Sequence, residues 1–518
     1  MKKILVVAGS DSSGGAGLEA DQKVIAAHGC YAMTATAALT AQNTHGVYGI
    51  HETPSDFVQK QIVACIEDIG VDVLKTGMLA SAQTVRVVAD AIRQYQVPIS
   101  VVDPVMVSTS GAQLLPEDAI KILCSELLPV TTVLTPNIPE ATLMLREVGA
   151  PPDDVQDLNG MKRLAAAVQA LGPKYVLLKG GHMPLTDDYK VAQTEAQKSI
   201  ITNILFDGTS FNVLEFPYQK TSNTHGTGCS LASAVACILA LNADVLQAVI
   251  SASRYVDTGI KTAVKLGTGS GPINHFHSLQ IMPFPPGGFV DYVLAHPSVV
   301  KPWQDYTHHS FVEAMGDGTL DPEAFKYYMI QDYLYLTHFA RANSLAGYKA
   351  KRVEDVAASA QIVLHIENEM GLHLGECRGF GLTREMIEQC EESQACTAYS
   401  RYVLDVGMSE DWVALQISLL PCLLGYGMIA KRLKELQKTD PPKGVNRYAT
   451  WIDNYTAADY TEAVRKGCAL IEKHAVKQSP SRIEELIEIF VHATKMETGF
   501  WEMASTSHRS TTSSAKKD

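Results

Sequence analysis

The sequence predicts two folds in one chain: an α/β half with a mostly parallel sheet covered by helices, then an all-α helical bundle. Three observations predict it. Short apolar runs alternate with amphipathic stretches through the first half, the pattern of βαβ units. Beyond residue 300 the runs lengthen into helical stripes, and all four tryptophans (303, 412, 451 and 501) lie there. Between the halves, Met282-Pro-Phe-Pro-Pro-Gly-Gly288 resists both helix and sheet.

In chain order, the first-half strands are expected at Ile4–Ala8, Val71–Lys75, Ile99–Val102, Thr132–Leu134 and Tyr175–Lys179. Helical patterns lie between them, for example Ser81–Tyr95 and Gly160–Leu171. Ligands of such sheets bind beyond the carboxyl ends of the strands. The polar and glycine-rich segments after Ala8, Val102, Leu134 and Lys179 sit at those ends. Second-half helices are expected at Asp321–Leu345, Val353–Leu374, Trp412–Gln437, Tyr460–Gln478 and Ser481–Met503. The domain reading is 1–277, a linker at 278–295, a helical domain at 296–504 and a disordered Ser/Thr-rich tail at 505–518.

Composition narrows the function classes. With 46% hydrophobic and 19% charged residues among 518, wholesale disorder is excluded. The net charge is −13, divided −6 and −7 between residues 1–277 and the remainder, so neither half carries a nucleic-acid footprint. Ten cysteines without a C-x-x-C pair argue against zinc ribbons and for reduced thiols. The apolar run Ile4–Gly9 stops at Ser10-Asp11, too short for a signal peptide, and no uninterrupted apolar stretch approaches the ~18 residues of a membrane helix. A soluble cytoplasmic protein with small-molecule partners is expected, without nucleic acid or membrane.

Several motifs converge on phosphate. The glycine-rich segment Ala8–Asp21 follows the first strand, and alone it is as well read as a tight turn. In Asn223-Thr-His-Gly-Thr-Gly-Cys-Ser230, Gly226, Thr227, Gly228 and Cys229 place successive N–H groups at a helix start, an anion hole. Lys179 adds a cation at one strand end, Asn137 and Glu140 an amide and a carboxylate at another, and Asp103 a further carboxylate. Together these are the charges that nucleotide phosphates and Mg²⁺ require.

In the second half, Asp332 and Tyr335 share one face of an aromatic helix. Cys422 and Tyr426 stand one turn apart, and Glu497 lies near the end of the last helical stripe. Alone, each reads as a core or solvated residue.

Residues 1–277 resemble the hydroxymethylpyrimidine (phosphomethylpyrimidine) kinases, of ribokinase-like fold. The motifs are A-G-S-D-S-S-G-G-A-G, T-A-Q-N-T, K-T-G-M-L, D-P-V-M-V, T-P-N-x-P-E, K-G-G-H, N-T-H-G-T-G-C and G-P-I-N-H-F-H. The resemblance implies ATP-dependent phosphorylation of a pyrimidine alcohol and then of its monophosphate. It implies that Gln42 binds the aminopyrimidine edge, with Asp21, Met78 and Val107 lining the pocket. Lys179 would neutralise phosphate, and Asp103, Asn137 and Glu140 would support Mg²⁺ directly or through water. Most ribokinase relatives carry an aspartate where this chain has Cys229. That thiol is read either as a base or as a shaper of the hole.

Residues 296–504 resemble the thiaminase II (TenA-like) domains, which are all-α. The motifs are F-V-E-A-M-G-D-G-T-L, Q-D-Y-L-Y-L-T-H-F-A, T-A-Y-S, L-L-P-C, W-I-x-x-Y and E-x-x-F-W. The resemblance implies a nucleophilic Cys422 and a proton-donating Glu497. Asp332 would hold the pyrimidine amino and ring nitrogens, while Tyr335, Tyr426 and Tyr455 would stack on or orient the ring. Arg401, followed by Tyr402, stands where some members carry a pocket tyrosine. The pairing resembles fungal thiamin-biosynthesis fusions and implies a bifunctional salvage enzyme that also hydrolyses aminomethylpyrimidine or thiamin. Both resemblances imply homo-oligomers. Two alternatives stand beside this reading: a non-catalytic oligomerisation or ligand-sensing role for the helical half, and a kinase for another B-vitamin alcohol such as pyridoxal.

Overall fold

The computed structural model describes residues 1–107, 114–152, 154–379, 381–442 and 444–514. The chain forms two compact units, Met1–Leu279 and Gln280–Asp518.

The first unit is built on nine strands: β1 (Lys3–Asp11), β2 (Tyr31–Asn43), β3 (Gly46–Glu52), β4 (Val73–Thr76), β5 (Ile99–Val102), β6 (Val133–Leu134), β7 (Tyr175–Leu178), β8 (Ile200–Phe206) and β9 (Phe211–Pro217). Their order in the sheet is β3-β2-β1-β4-β5-β6-β7-β8-β9. Pairing is parallel from β2 to β7 and antiparallel at both edges. Alternate residues of β1 enter different cores. Leu5 and Val7 pack under one helical layer, whereas Ile4, Val6 and Ala8 pack under the other. A sheet covered on both faces therefore gives the continuous apolar runs that mark its inner strands. The helix Ala82–Gln94 shows the matching logic: Ser81 accepts from the Thr84 N–H at its start, and Val85, Val88, Ala89 and Ile92 form its buried stripe.

The second unit is all helical, with principal helices Pro322–Lys349, Val353–Gly379, Gln394–Ser409, Trp412–Thr439, Ala458–Ala475 and Pro480–Ser514. They enclose one aromatic-rich core containing Tyr306, Phe311, Tyr328, Tyr399, Trp451 and Trp501. Trp412–Thr439 is long and apolar enough by composition to cross a membrane, but 78% of its apolar window is buried inside the protein. It is the central helix of the bundle.

Two boundaries differ from expectation. The segment 278–295, expected as a linker, contains the helix Phe289–Ala295. Phe284, Phe289 and Val293 are buried in the aromatic core, and the Phe289 and Val290 N–H groups donate to Glu472. The proline run thus ends in an anchored element. The tail, expected to be disordered from 505, continues the last helix to Ser514, and residues 515–518 lie outside the described residues. Ser505 and Thr506 return their hydroxyls to the Trp501 and Glu502 carbonyls. Such back-bonding lets hydroxyl residues sit in a helix that composition alone argues against.

Candidate active sites

A cavity of about 540 Å³ opens beyond the carboxyl ends of the first unit's strands. Asp11, Gln42, Met78, Asp103, Val107, Asn137, Glu140, Lys179 and the turn Gly226–Cys229 all line it. Asn137 and Lys179 bridge directly after β6 and β7, which carries both to the same rim.

The anion hole starts at Gly226, whose φ of +76° suits glycine. A Cβ there would meet the Gly15 carbonyl oxygen at 1.9 Å. The first glycine-rich loop and the hole are thus packed backbone to backbone. A Cβ on Gly228 would stand 3.1 Å from Lys179 Nζ and 3.7 Å from Asp103 Oδ2, so the helix start faces both charges. Lys179 Nζ donates to Asp103 Oδ1 at 2.7 Å, and Thr135 donates to the same oxygen. Burial lowers the Lys179 pKa, but the carboxylates of Asp103 and Glu140 outweigh it and hold the ammonium charged.

Glu140 and Asn137 form a capping box: Glu140 accepts from the Asn137 N–H, and Asn137 Oδ1 accepts from the Glu140 N–H. Burial pushes the Glu140 carboxyl up to about 7, opposed by Lys179. Cys229 is half-buried at the helix start. Burial pushes its thiol up to about 11, with Lys75 pulling the other way.

Asp21 departs from expectation. It is fully buried and does not line the cavity. Lys75 Nζ donates to both its oxygens at 2.8 Å, and Ser233 Oγ donates at 2.7 Å. A lysine buried in β4 requires a counterion, and Asp21 fills that need behind the cavity wall.

In the helical unit, Cys422 stands directly after Pro421 in Trp412–Thr439. Glu497 is buried and accepts from Tyr399 Oη at 2.9 Å and Tyr426 Oη at 3.4 Å. Burial raises its carboxyl to about 7 against the pull of hydrogen bonds from Tyr399, Tyr426 and Cys422. Cys422 is therefore in contact with Glu497, and burial pushes its thiol well above the usual range. Asp332 is buried too, within reach of Tyr328 Oη at 3.3 Å and 3.4 Å from His373 Nδ1. Burial raises its carboxyl well above the usual range, reinforced by the charges of Glu369 and Glu497. Tyr455 Oη donates to Glu369 at 2.9 Å, and burial brings Glu369 up to about 7. The Tyr426 and Tyr455 rings lie 5.2 Å apart, and Tyr335 stacks on Tyr399 at 4.7 Å.

The comparisons with known proteins agree on both halves. The phosphomethylpyrimidine kinase family matches residues 11–274, and the TENA/THI-4/PQQC family matches residues 296–507. A Schizosaccharomyces pombe protein, provisionally named hydroxymethylpyrimidine/phosphomethylpyrimidine kinase 2, is 44% identical over 96% of this chain and 90% of its own length. The Saccharomyces cerevisiae hydroxymethylpyrimidine/phosphomethylpyrimidine kinase THI20 is 34% identical over 97% of this chain and 95% of its own. The chain belongs to the phosphomethylpyrimidine kinase family. Among solved structures, the Clostridium difficile phosphomethylpyrimidine kinase is 35% identical, with a TM-score of 0.42, covering 50% of this chain and all of that one.

In this kinase the structure brings together most of the residues that the sequence singles out. Gln42, Met78, Val107, Lys179, Asp103, Asn137, Glu140 and Gly226–Cys229 share one cavity, and Asp21 does not. Tyr335, Tyr426, Tyr455, Asp332, Cys422 and Glu497 join the helical cluster. Tyr402 is engaged elsewhere, its ring tilted against His492 and its hydroxyl donating to the Ile489 carbonyl. Sequence reasoning missed Asp11 and His225, although both lie inside motifs of the kinase resemblance. It also missed Glu369 and His373, which lie one helical turn apart in Val353–Gly379 (a spacing that could have flagged them).

Proposed function

We propose that the first unit transfers the terminal phosphoryl group of ATP to 4-amino-5-hydroxymethyl-2-methylpyrimidine and then to its monophosphate. The observation that carries this reading is the convergence of Lys179, Asp103, the Gly226–Cys229 hole and Gln42 in one cavity. Gln42 presents an amide to the aminopyrimidine edge, and Met78 and Val107 cover the ring. Lys179 and the helix-start N–H groups offset charge on the transferring phosphoryl group, where most of the barrier to such a transfer is lowered.

The residues fit Mg²⁺ held jointly with phosphate. Asp103 Oδ2 faces the hole, and the Glu140 carboxyl, which also takes backbone hydrogen bonds from Asn137 and Met106, interacts with Asp103 and Lys179. Among the described residues no cluster of three His, Cys, Asp or Glu side chains could hold a metal unaided, as suits an ion that takes substrate oxygens. Asn137 Oδ1 is engaged in the cap, which leaves it a positioning role. The ion would supply further charge neutralisation at the phosphates. Cys229 serves the hole through its backbone N–H, and its thiol stays protonated. Cys229→Ala therefore keeps kcat within about tenfold, because a loose phosphoryl transfer needs little base assistance.

For the second unit we propose hydrolysis of an aminomethylpyrimidine to the hydroxymethyl alcohol that the first unit consumes. Glu497 takes the Cys422 proton as the sulfur adds to the electron-poor ring, and donates a proton to the ring nitrogen. The substrate's ammonium group leaves the exocyclic methylene as ammonia with the C–N electron pair, and water adds there and gives up a proton. As the C–S bond breaks, the ring-nitrogen proton returns through Glu497 to the sulfur. Burial favours the neutral form of Asp332, and in that form it offers one donor and one acceptor, which matches a ring nitrogen beside an amino group. The intact Cys422, Glu497 and Asp332 weigh against a purely oligomerising or sensing role. Both family likenesses favour an assembly of several copies, testable by mass in solution.

An assay of the whole chain with each pyrimidine tests both halves. The expected result is phosphorylation of the alcohol and ammonia release from the amine. Ligand binding without ammonia release would establish the sensing role instead, and preference for pyridoxal in kcat/KM would redirect the kinase.

A further inference from the structure

We propose that Asp11 and His225 form a clasp that couples the reading of the pyrimidine at Gln42 to the anion hole at Gly226. The inference rests on the kinase reading and adds two positioning residues to it.

Asp11 ends β1 and is buried. One carboxylate oxygen accepts from the Ser13 N–H and hydroxyl, and the other from the Gly15 and Ala16 N–H groups. This second oxygen also receives His225 Nε2 at 2.7 Å. Burial raises the Asp11 carboxyl, but the hydrogen bonds from His225 and Ser13 outweigh it and hold it at about 2. A single carboxylate thus fixes the glycine loop and the residue immediately before Gly226.

The same histidine reaches the pyrimidine side. Gln42 Nε2 lies 3.3 Å from His225 Nε2, a packing contact rather than a hydrogen bond, because the Nε2–H is given to Asp11 and an amide nitrogen cannot accept. The loop that Asp11 organises holds the Gln42 backbone as well, because Ser12 Oγ accepts from its N–H and donates to its carbonyl. Thr40 Oγ1 lies between the Ser10 carbonyl and Gln42 Oε1. Behind the imidazole there is no slack: a Cβ on Gly15 would meet His225 Cδ2 at 2.4 Å. A shift of the Gln42 amide on binding a ring is therefore felt at His225, and through one peptide unit at the left-handed turn that aims the hole.

A coupling of this kind is read in kinetics on the full chain, with ATP and 4-amino-5-hydroxymethyl-2-methylpyrimidine as probes. Four single variants (Gln42→Ala, His225→Ala, His225→Gln and Asp11→Asn) and the Gln42→Ala/His225→Ala double variant are compared with wild type. His225→Ala is expected to lower kcat about 10- to 100-fold, the loss of one buried charge-assisted hydrogen bond, while the KM for ATP moves less than about threefold. His225→Gln, which keeps a donor toward Asp11, is expected to recover part of that loss. Gln42→Ala is expected to cost several-fold less in the His225→Ala background than in wild type. Independent effects of the two substitutions, or a His225→Ala kcat within twofold of wild type, overturn the clasp. If Asp11→Asn fails to fold, the Gln42 and His225 cycle still decides. A wild-type chain that phosphorylates no pyrimidine overturns the kinase reading and the clasp with it, whereas an active wild type with additive variants overturns only the clasp.

Discussion

The two sites handle charge in opposite ways. The cavity of the α/β unit sets ammonium groups against carboxylates: Lys179 with Asp103, and behind it Lys75 with Asp21. The helical site gathers Asp332, Glu369 and Glu497 around one histidine and a ring of tyrosines. Among the described residues, no lysine or arginine pairs with any of those three carboxyls. The difference follows from what each site must stabilise. A transferring phosphoryl group brings its own negative charge, so the first site needs fixed cations and N–H groups. A neutral heterocycle needs protons delivered to its nitrogens, so the second site keeps its acids buried, where the neutral form is favoured.

The comparison breaks most sharply at the nucleophile. Cys422→Ser is expected to lower ammonia release by about 10³-fold or more, as removal of an activated nucleophile does. Phosphorylation of the alcohol by the same preparation should stay within twofold. Equal loss of both activities in a two-substrate assay would mean that the sites are not independent in chemistry.

Next in size is Lys179→Ala. Loss of the cation facing the hole is expected to cost about 10²- to 10³-fold in kinase kcat. Hydrolysis should be untouched. A change confined to the KM for ATP would assign Lys179 to ground-state binding alone.

A third test sharpens the contrast through pH. Glu369 and Glu497 are raised from an ordinary value of 4.5 to about 7 in the folded unit. A raised carboxyl binds its proton more tightly when folded, so its contribution is fully present below pH 4.5 and is lost as pH rises through 7. Each carboxyl can account for up to about 3 kcal/mol across that window. Melting of the helical unit should fall between pH 5 and 8, and Glu497→Gln should flatten the slope. Glu497 must be ionised to take the Cys422 proton, so kcat/KM for ammonia release should rise as pH climbs through about 7, an ascending limb that opposes the fall in stability.

Legibility in the sequence followed burial. The inner strands β1, β4, β5, β6 and β7 were readable because both faces are covered, which writes an unbroken apolar run such as Ile4–Ala8. The edge pairs β2–β3 and β8–β9 were not. β2 reads Thr-Ala-Thr-Ala-Ala-Leu-Thr over residues 34–40, too weakly apolar to announce a strand, and β3 is mostly exposed. At the sites, residues that face the cavity with a distinctive type were legible. Those that act by holding others were not. Asp11 lay unremarked in the glycine-rich segment after the first strand, and the family resemblance put Asp21 in the pocket, since nothing in the sequence pairs it with the distant Lys75. Glu369 and His373 share a helix with the exposed Glu354 and Glu367 and the buried Asp355, so polarity alone could not separate them.

The smallest expected effect tests whether a scaffold change leaves both sites intact. Ser81 starts the helix Ala82–Gln94 by accepting from the Thr84 N–H at 3.3 Å, a long cap bond. Its hydroxyl also lies 3.1 Å from that of Thr84. Removing the cap leaves one helix-start donor without its partner, so Ser81→Ala should cost about 0.5–2 kcal/mol of the first unit's stability. The length of the bond places it toward the lower end. Ser81 lies outside the cavity wall, so kinase kcat and KM should be unchanged at 25 °C. Denaturant midpoints measure the loss of stability, and initial rates measure the activity. A fall in kcat without a fall in midpoint would mean that the Leu79–Ser81 turn, which follows Met78, holds the ring-covering residue in place.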